Sequence, residues 1–560
     1  MEIRLKDYLT GGASAVAALN QACMKMQDGD TLLLGGGRID VYAEDAFTRH
    51  YYISNNDAGD KAIAFPLIGK NNIIIDGENA DIIFHGGIMP FAVDHCSNVK
   101  ICNLSIDYDQ PMFSQAEIQD ADSERVVLRF DGEEFCCKVR DDHLVFFSSG
   151  SEIEIEKECA LCLEFDKDTK APTAYLANYF YYSGEEKDHG FLSYMYKDVV
   201  LKELGENLIE MKGKFGQSHT PGNMWVCTYA GRDYPGFFVT ESKNVFIKNV
   251  TMYQTQAMGV ICQLSENITI DHVKADMRQG SQRLLTTGAD ATHFVNCRGN
   301  IEIKDCKFIN MMDDACNIHG IYLKDPKQES DYSIMTTYGH EQQKGLNIFR
   351  PGDIVHIINV ETLEVVFASE VVESRQMEED TLCIITKEPV PVIPDHCVAE
   401  NISTAPNVHI CGTETGNNRP RGFLLSSSGK ILVENCKFYN MTQGINLGGE
   451  MLNWYESGAV TDVTIRNNEF HNSAYAGGVA IGIVPKIKHR ESAGSFHKRV
   501  NIENNHFTMH ERRLLRASNV GELRFVGNTF TCDESLPAQQ AENERGILTE
   551  YCEKEIIEWV

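Results

Sequence analysis

Asn244-Val245-Phe246-Ile247-Lys248-Asn249 returns 23 residues later as Asn267-Ile268-Thr269-Ile270-Asp271-His272, and that repeat decides the fold. Val500-Asn501-Ile502-Glu503-Asn504-Asn505-His506-Phe507 is answered at the same spacing of 23 by Leu523-Arg524-Phe525-Val526-Gly527-Asn528-Thr529-Phe530. Asn72-Ile73-Ile74-Ile75-Asp76-Gly77 and Asn98-Val99-Lys100-Ile101-Cys102-Asn103 carry the same unit near the start. Each unit alternates β-branched with polar residues, as a strand with one buried face does, and then breaks on a polar turn. A period near 23 predicts an all-β chain wound as a right-handed parallel β-helix, whose stacked coils bury one continuous core. Like residues then stack on like across the ~4.8 Å strand spacing. Phe308, Phe438, Phe470, Phe507 and Phe530 are expected to form a ring stack, with Asn249, Asn435, Asn468, Asn505 and Asn528 lining the turn beside it.

Two stretches break the period. Residues 113–235 are acidic and irregular, with β-like pieces such as Arg125-Val126-Val127-Leu128-Arg129-Phe130. Residues 326–421 have a strand-turn-strand look around Pro351-Gly352-Asp353-Ile354-Val355-His356-Ile357-Ile358. Both read as inserted antiparallel β structure. The expected layout is an N-terminal cap and first coils over 1–112, an inserted β domain over 113–235, coils carrying the chemistry over 236–325, a second inserted β-barrel over 326–421, and C-terminal coils with a tail over 422–560. The whole is a pectate-lyase-like solenoid bearing two small β-barrel or β-sandwich domains. Ala13 to Met26, rich in helix formers, is expected to cap the end where a sheet edge would otherwise lie open.

Composition narrows the partners. With 51 basic against 81 acidic residues, the net charge of −30 works against nucleic acid and anionic membrane surfaces. It also works against a polyanionic substrate such as pectate. No apolar run approaches the roughly 20 residues that span a bilayer. Met1-Glu2-Ile3-Arg4-Leu5-Lys6-Asp7-Tyr8 carries no secretory signal, and 18 cysteines suggest reduced thiols. A cytoplasmic location is expected, or a periplasmic or secreted one if a leader has been removed. Cys159 and Cys162 form a CxxC with no partner motif, which reads as buried thiols rather than zinc ligands. No cofactor or metal is expected. A homodimer is the assembly expectation.

The repeat also isolates the chemistry. Asp305-Cys306-Lys307-Phe308-Ile309-Asn310 is followed by Met311-Met312-Asp313-Asp314, whereas its counterpart Asn435-Cys436-Lys437-Phe438-Tyr439-Asn440 is followed by Met441-Thr442-Gln443-Gly444. The fold turns this corner without acids, so Asp313 and Asp314 serve chemistry or binding. Asp290, 23 residues before Asp313, is one coil earlier and is expected directly beneath the pair. Three crowded carboxylates raise the pKa of at least one of them, as an acid catalyst requires. His293, Asn317, His319 and Arg283 on the same coils are suited to hold sugar hydroxyls. Glu450 and Trp454, in the loop after the acid-free corner, are further contacts, the Trp as a platform for a sugar's apolar face. A calcium site built from the same acids is the competing reading.

The run Asp313-Asp314-Ala315-Cys316-Asn317-Ile318-His319-Gly320, with Gly288-Ala289-Asp290-Ala291-Thr292-His293-Phe294 and Asn296-Cys297-Arg298-Gly299 before it, resembles glycoside hydrolase family 110. That resemblance implies an exo-acting α-1,3-galactosidase that releases galactose with inversion, including from blood-group B structures. It implies Asp313 as general acid and Asp290 with Asp314 as the water-activating base, and a galactose-terminated glycan as substrate. Acid and base are then expected roughly 6.5–9.5 Å apart, leaving room for water. The alternatives are a polygalacturonase-like or other β-helix polysaccharide-degrading enzyme, whose Gly-His-Gly and Arg-Ile-Lys motifs are not found here, and a non-catalytic carbohydrate-binding β-helix.

Overall fold

The computed structural model describes residues 1–558 apart from 10, 149–150, 155–159, 174–178, 182–194, 197–198, 214–218, 229–230 and 535–545. Its frame is a right-handed parallel β-helix. One sheet stacks Leu32, Ile75, Ile101, Ile247, Ile270, Ile303, Ile410, Val433, Ile465, Ile502 and Phe525 in register. The facing sheet stacks Phe65, Phe91, Phe237, Val260, Thr292, Cys316, Phe423, Ile445, Ile481, Leu515 and Ile547. The alternating pattern sends these residues inward into one continuous core, each fully buried aliphatic contributing about 1.5–3 kcal/mol. The intervening residues of the second sheet point outward, and that face carries the site.

The turns hold two asparagine ladders where one was expected. Asn468, Asn505 and Asn528 are buried, and each side-chain oxygen accepts from the amide groups of the rung before. Asn249 and Asn435 stand one residue earlier, in the left-handed backbone that Asn tolerates, and belong to an outer row with Asn467 and Asn504. Cys436 fills the inner position in its coil and donates its N–H to Asn468. Asn505→Ala leaves polar groups of two neighbouring coils unpaired, so a loss of about 1–3 kcal/mol is expected. A lower thermal midpoint than wild type checks it; an unchanged midpoint would show the rung to be dispensable.

The ring stack also differs. Phe438, Phe470 and Phe507 stack with centroids 4.8 and 4.7 Å apart. Phe308 is separated from Phe438 by Thr415, and Phe530 is half-buried beneath the Arg512 guanidinium. The coil holding Thr415 lacks the aromatic that marks the others, which hid it. Asn407–Cys411 and Glu414–Gly416 are already solenoid strands, so the second insert ends before 407 rather than at 421.

That insert grows out of one strand. Cys316–Ser330 pairs in the parallel stack at its start and continues into a closed antiparallel barrel with Ser333–Tyr338, Ile354–Asn359, Val365–Glu378, Thr381–Thr386 and Cys397–Asn401. The first insert is an antiparallel sheet built on Phe113–Asp122, Arg125–Arg129, Leu208–Lys212 and Met224–Thr228, with a three-stranded hairpin sheet beside it. Its core takes in Leu284, Leu285 and Met312 from the solenoid, which ties it to the turn that carries Asp313.

The cap is the helix Ala15–Lys25, begun by the Ser14 hydroxyl accepting from Ala17 N–H. Asn20 donates to the Ile63 and Ala64 carbonyls and so satisfies the first exposed strand of the sheet beneath. Cys162 is buried, as a packing thiol is, while Cys159 lies outside the described residues. No helix among the described residues is long and apolar enough to cross a membrane.

Candidate active site

Asp290 and Asp314 hold equivalent positions in adjacent coils, because Thr292 pairs with Cys316. The local repeat is therefore 24, not 23, and Asp290 lies under Asp314 rather than under Asp313, its Oδ1 accepting from Asp314 N–H at 3.0 Å. The corner lets Asp313 emerge beside them, and one oxygen from each of the three carboxylates lies within 4.8 Å of the others. That is closer than the roughly 6.5–9.5 Å expected between an inverting acid and base, because a one-coil offset alone supplies little more than a strand spacing.

Three arginines invisible to the spacing argument surround the trio. Arg421, from the coil above, grips Asp314 with Nε at 2.9 and 3.1 Å and Nη2 at 2.6 Å, and its own N–H donates at 3.1 Å. Arg232, where the chain returns from the first insert, donates to Asp313 Oδ2 at 3.0 Å. Arg419 stands 3.7 Å from Asp313 Oδ1. These guanidinium groups already supply the positive charge that a calcium ion would bring, and they occupy the carboxylate oxygens that would have to ligate it.

Exposure separates the carboxylates: the Asp313 side chain is 17 % accessible, Asp290 4 % and Asp314 1 %. Burial works to raise Asp313, but Arg419, Arg232 and Arg421 outweigh it and hold that carboxyl below its ordinary value. Burial, reinforced by the Asp313 charge, pushes Asp290 well above the usual range. Burial pushes Asp314 up to about 8 against the pull of Arg421. Yet the contacts made by its two oxygens are all with donors, so the anion is the form this geometry binds. A fourth carboxylate, Glu456, accepts from Asn55 Nδ2 at 3.2 Å and faces His319 Nε2 at 3.5 Å. Burial opposes its charge, while His319, His293 and Arg421 pull its pKa down. Asp313, Asp314 and Glu456 thus face Arg232, Arg419 and Arg421, and Asp290 is the carboxyl of the trio whose surroundings most favour the protonated form.

His293 and His319 do not offer their nitrogens to solvent as sugar contacts would. His293 Nδ1 is 2.6 Å from Asp290 Oδ2, and His293 Nε2 is 2.9 Å from His319 Nε2. His319 Nδ1 donates to its neighbour's carbonyl at Gly320 over 2.6 Å. Burial holds both imidazoles neutral, His293 down to about 4. Asn317 shares their outward face and is buried, with Oδ1 unpartnered.

Two expected contacts are structural. Arg283 spends its guanidinium on Glu134 of the first insert, Asp107, and the Tyr108 and Asp109 carbonyls, stapling insert to solenoid. Glu450 accepts from the N–H groups of Leu452, Asn453 and Trp454 at 2.7, 2.6 and 2.9 Å, so it shapes a loop rather than facing a ligand. That loop presents Trp454 against His340 of the second insert, centroids 4.1 Å apart. Gln343 donates to the Trp454 carbonyl and fixes it further. Both inserts and the segment Tyr52–Asp57 therefore wall the acidic face on several sides.

Comparison with known proteins sets this geometry in a lineage. Residues 401–557 match the model described as a right handed beta helix region. The α-1,3-galactosidase A of Shewanella woodyi is 33 % identical over 541 residues, which span 95 % of this chain and 85 % of that protein. This chain belongs to the α-1,3-galactosidase family. The α-1,3-galactosidase B of Bacteroides thetaiotaomicron is 29 % identical over 547 residues, 96 % of this chain and 86 % of that one. Among solved structures, the family 28 exopolygalacturonase of Yersinia enterocolitica is similar at a TM-score of 0.41 and 10 % identity, over 99 % of this chain and 78 % of that one. As a member of the α-1,3-galactosidase family the chain is a glycoside hydrolase. The resemblance that its Asp313 to Gly320 run carries is thereby confirmed at the family level.

Proposed function

We propose that this chain removes terminal α-1,3-linked galactose from oligosaccharides or glycoconjugates by inverting hydrolysis. The carrying observation is the Asp290, Asp313 and Asp314 trio, within 4.8 Å and framed by three arginines. Asp313 is the general acid, since it is the most exposed of the three and the one a glycosidic oxygen reaches. Between the two candidates for the base, Asp290 is favoured, because Arg421 occupies both oxygens of Asp314. Asp314 then anchors Arg421, and the close spacing puts the attacking water beside Asp290 rather than midway between facing carboxylates. Walls from both inserts support exo-action on a chain end.

A second assignment is favoured by the electrostatics of the unliganded site: Asp290 as acid and Asp313 as base. Leaving-group dependence decides between them. The galactosidase activity itself is tested by incubating the protein with α-1,3-, α-1,4- and α-1,6-linked digalactosides and with polygalacturonate. Galactose released from the α-1,3 isomer alone supports the proposal. Cleavage of polygalacturonate, or sugar binding without turnover, would replace it with one of the other two classes.

A further inference from the structure

Asp290, whose burial favours the protonated form, must be free of its proton to activate water, and its Oδ2 lies 2.6 Å from His293 Nδ1. The hydrogen bonds around it resolve this. His319 Nδ1 must carry hydrogen, because its 2.6 Å partner is the Gly320 carbonyl, which only accepts. A single proton must lie between His293 Nε2 and His319 Nε2, 2.9 Å apart. If it rests on His293, neutral His293 has a bare Nδ1, which accepts the Asp290 O–H at 2.6 Å. If it rests on His319, that ring is a cation facing Glu456 Oε1 at 3.5 Å, and His293 Nδ1–H donates to an Asp290 anion. Both arrangements hold the same number of protons.

We propose that Asp290, His293, His319 and Glu456 form a proton relay that converts Asp290 between acid and base without exchange with solvent. The Asp290 O–H bond breaks as His293 Nδ1–H forms, and the His293 Nε2–H bond breaks as His319 Nε2–H forms. One unit of positive charge moves from the carboxyl end to the imidazole that faces Glu456, and nothing is oxidised or reduced. His293 and His319 are positioning residues in this scheme, and Glu456 stabilises the charge-separated form. The charged groups facing the relay are Asp313, Asp314, Arg232 and Arg421 at one end and Glu456 at the other, with Asn55 steadying Glu456. Both rings are nearly inaccessible, His293 at 1 % and His319 at 3 %, so water does not compete for the wire.

The catalytic role rests on the proposed α-1,3-galactosidase reading; the wire itself does not. The test is ¹⁵N NMR of histidine in the full-length wild-type protein without substrate, assigned through His293→Gln and His319→Gln. The expected result is a protonated Nδ1 on His319 and a single proton shared by the two Nε2 atoms. A His319 lacking hydrogen on Nδ1, or two bare Nε2 atoms, would overturn the relay whatever the enzyme cleaves. Glu456→Gln is the kinetic arm: kcat falls by about tenfold or more with KM within about threefold, and the curved proton inventory of the wild type in mixed H₂O and D₂O becomes linear. A linear wild-type inventory, or an unchanged kcat, would also overturn it. The expected NMR pattern in a protein that releases no galactose would instead overturn the α-1,3-galactosidase reading and leave the wire standing.

Discussion

Asp313→Asn is expected to lower kcat on an α-1,3-galactoside by about 10²–10⁴-fold, the usual contribution of a positioned proton donor. Folding should survive, since the side chain is 17 % accessible and an amide still accepts from Arg232. The leaving group gives the sharper readout. An aryl α-galactoside, whose phenolate departs without protonation, should recover most of the loss in Asp313→Asn and none of it in Asp290→Asn, and azide should rescue only the latter. The reverse pattern would exchange the two roles. The pH dependence follows from one proton shared by the pair. Activity falls on the acid side when Asp313, held below its ordinary 3.8, takes up a second proton. It falls on the alkaline side when Asp290, raised by burial and the Asp313 charge, gives up the first. A kcat/KM profile flat across neutral pH is therefore expected, and its alkaline limb should move to lower pH in Asp290→Asn with azide as nucleophile, because Asp313 must then hold the acid's proton alone.

Arg421→Met carries the second large effect. The guanidinium neutralises an Asp314 carboxylate whose side chain is 1 % accessible, and removing one partner of a buried pair costs about 3–5 kcal/mol. Thermal denaturation should show it as a marked drop in midpoint, with loss of activity because the freed Asp314 charge crowds Asp290 and Asp313. Adding Asp314→Asn to Arg421→Met removes the stranded charge, so much of the stability returns while activity does not. Additive losses in the double-mutant cycle would show that the two groups do not act as a pair.

The solenoid was legible because its signature is repeated in every coil: alternation, a polar turn, and a period close to the coil length. What escaped was local. The coil of Thr415 lacks the marker phenylalanine, and the two turn ladders differ by one residue, which a pattern of asparagines does not resolve. The carboxylates were legible by contrast with a repeat that has none. Their counter-ions were not, because Arg421 reaches Asp314 across 107 residues and over the second insert, while Arg232 reaches Asp313 across 81 residues of intervening coils. The one available signal was Asn418-Arg419-Pro420-Arg421, two cations flanking a proline at the corner between the strands Glu414–Gly416 and Arg421–Leu425. Asn55, His340 and Glu456 come from three further segments and left no signal at all. His293 and His319 stand where the spacing places them, with their nitrogens bonded to Asp290, to each other and to the Gly320 carbonyl. Spacing shows that imidazoles reach the site, and only the distances show that they bond to each other.

In the proposed reaction water attacks the sugar directly while Asp313 protonates the leaving oxygen. Following the anomeric protons by NMR in the first minutes after adding an α-1,3-galactoside tests this most directly. β-Galactose should appear first and mutarotate to the α form afterwards. Initial α-galactose would contradict it, and would make one member of the closely spaced trio a nucleophile in a double displacement.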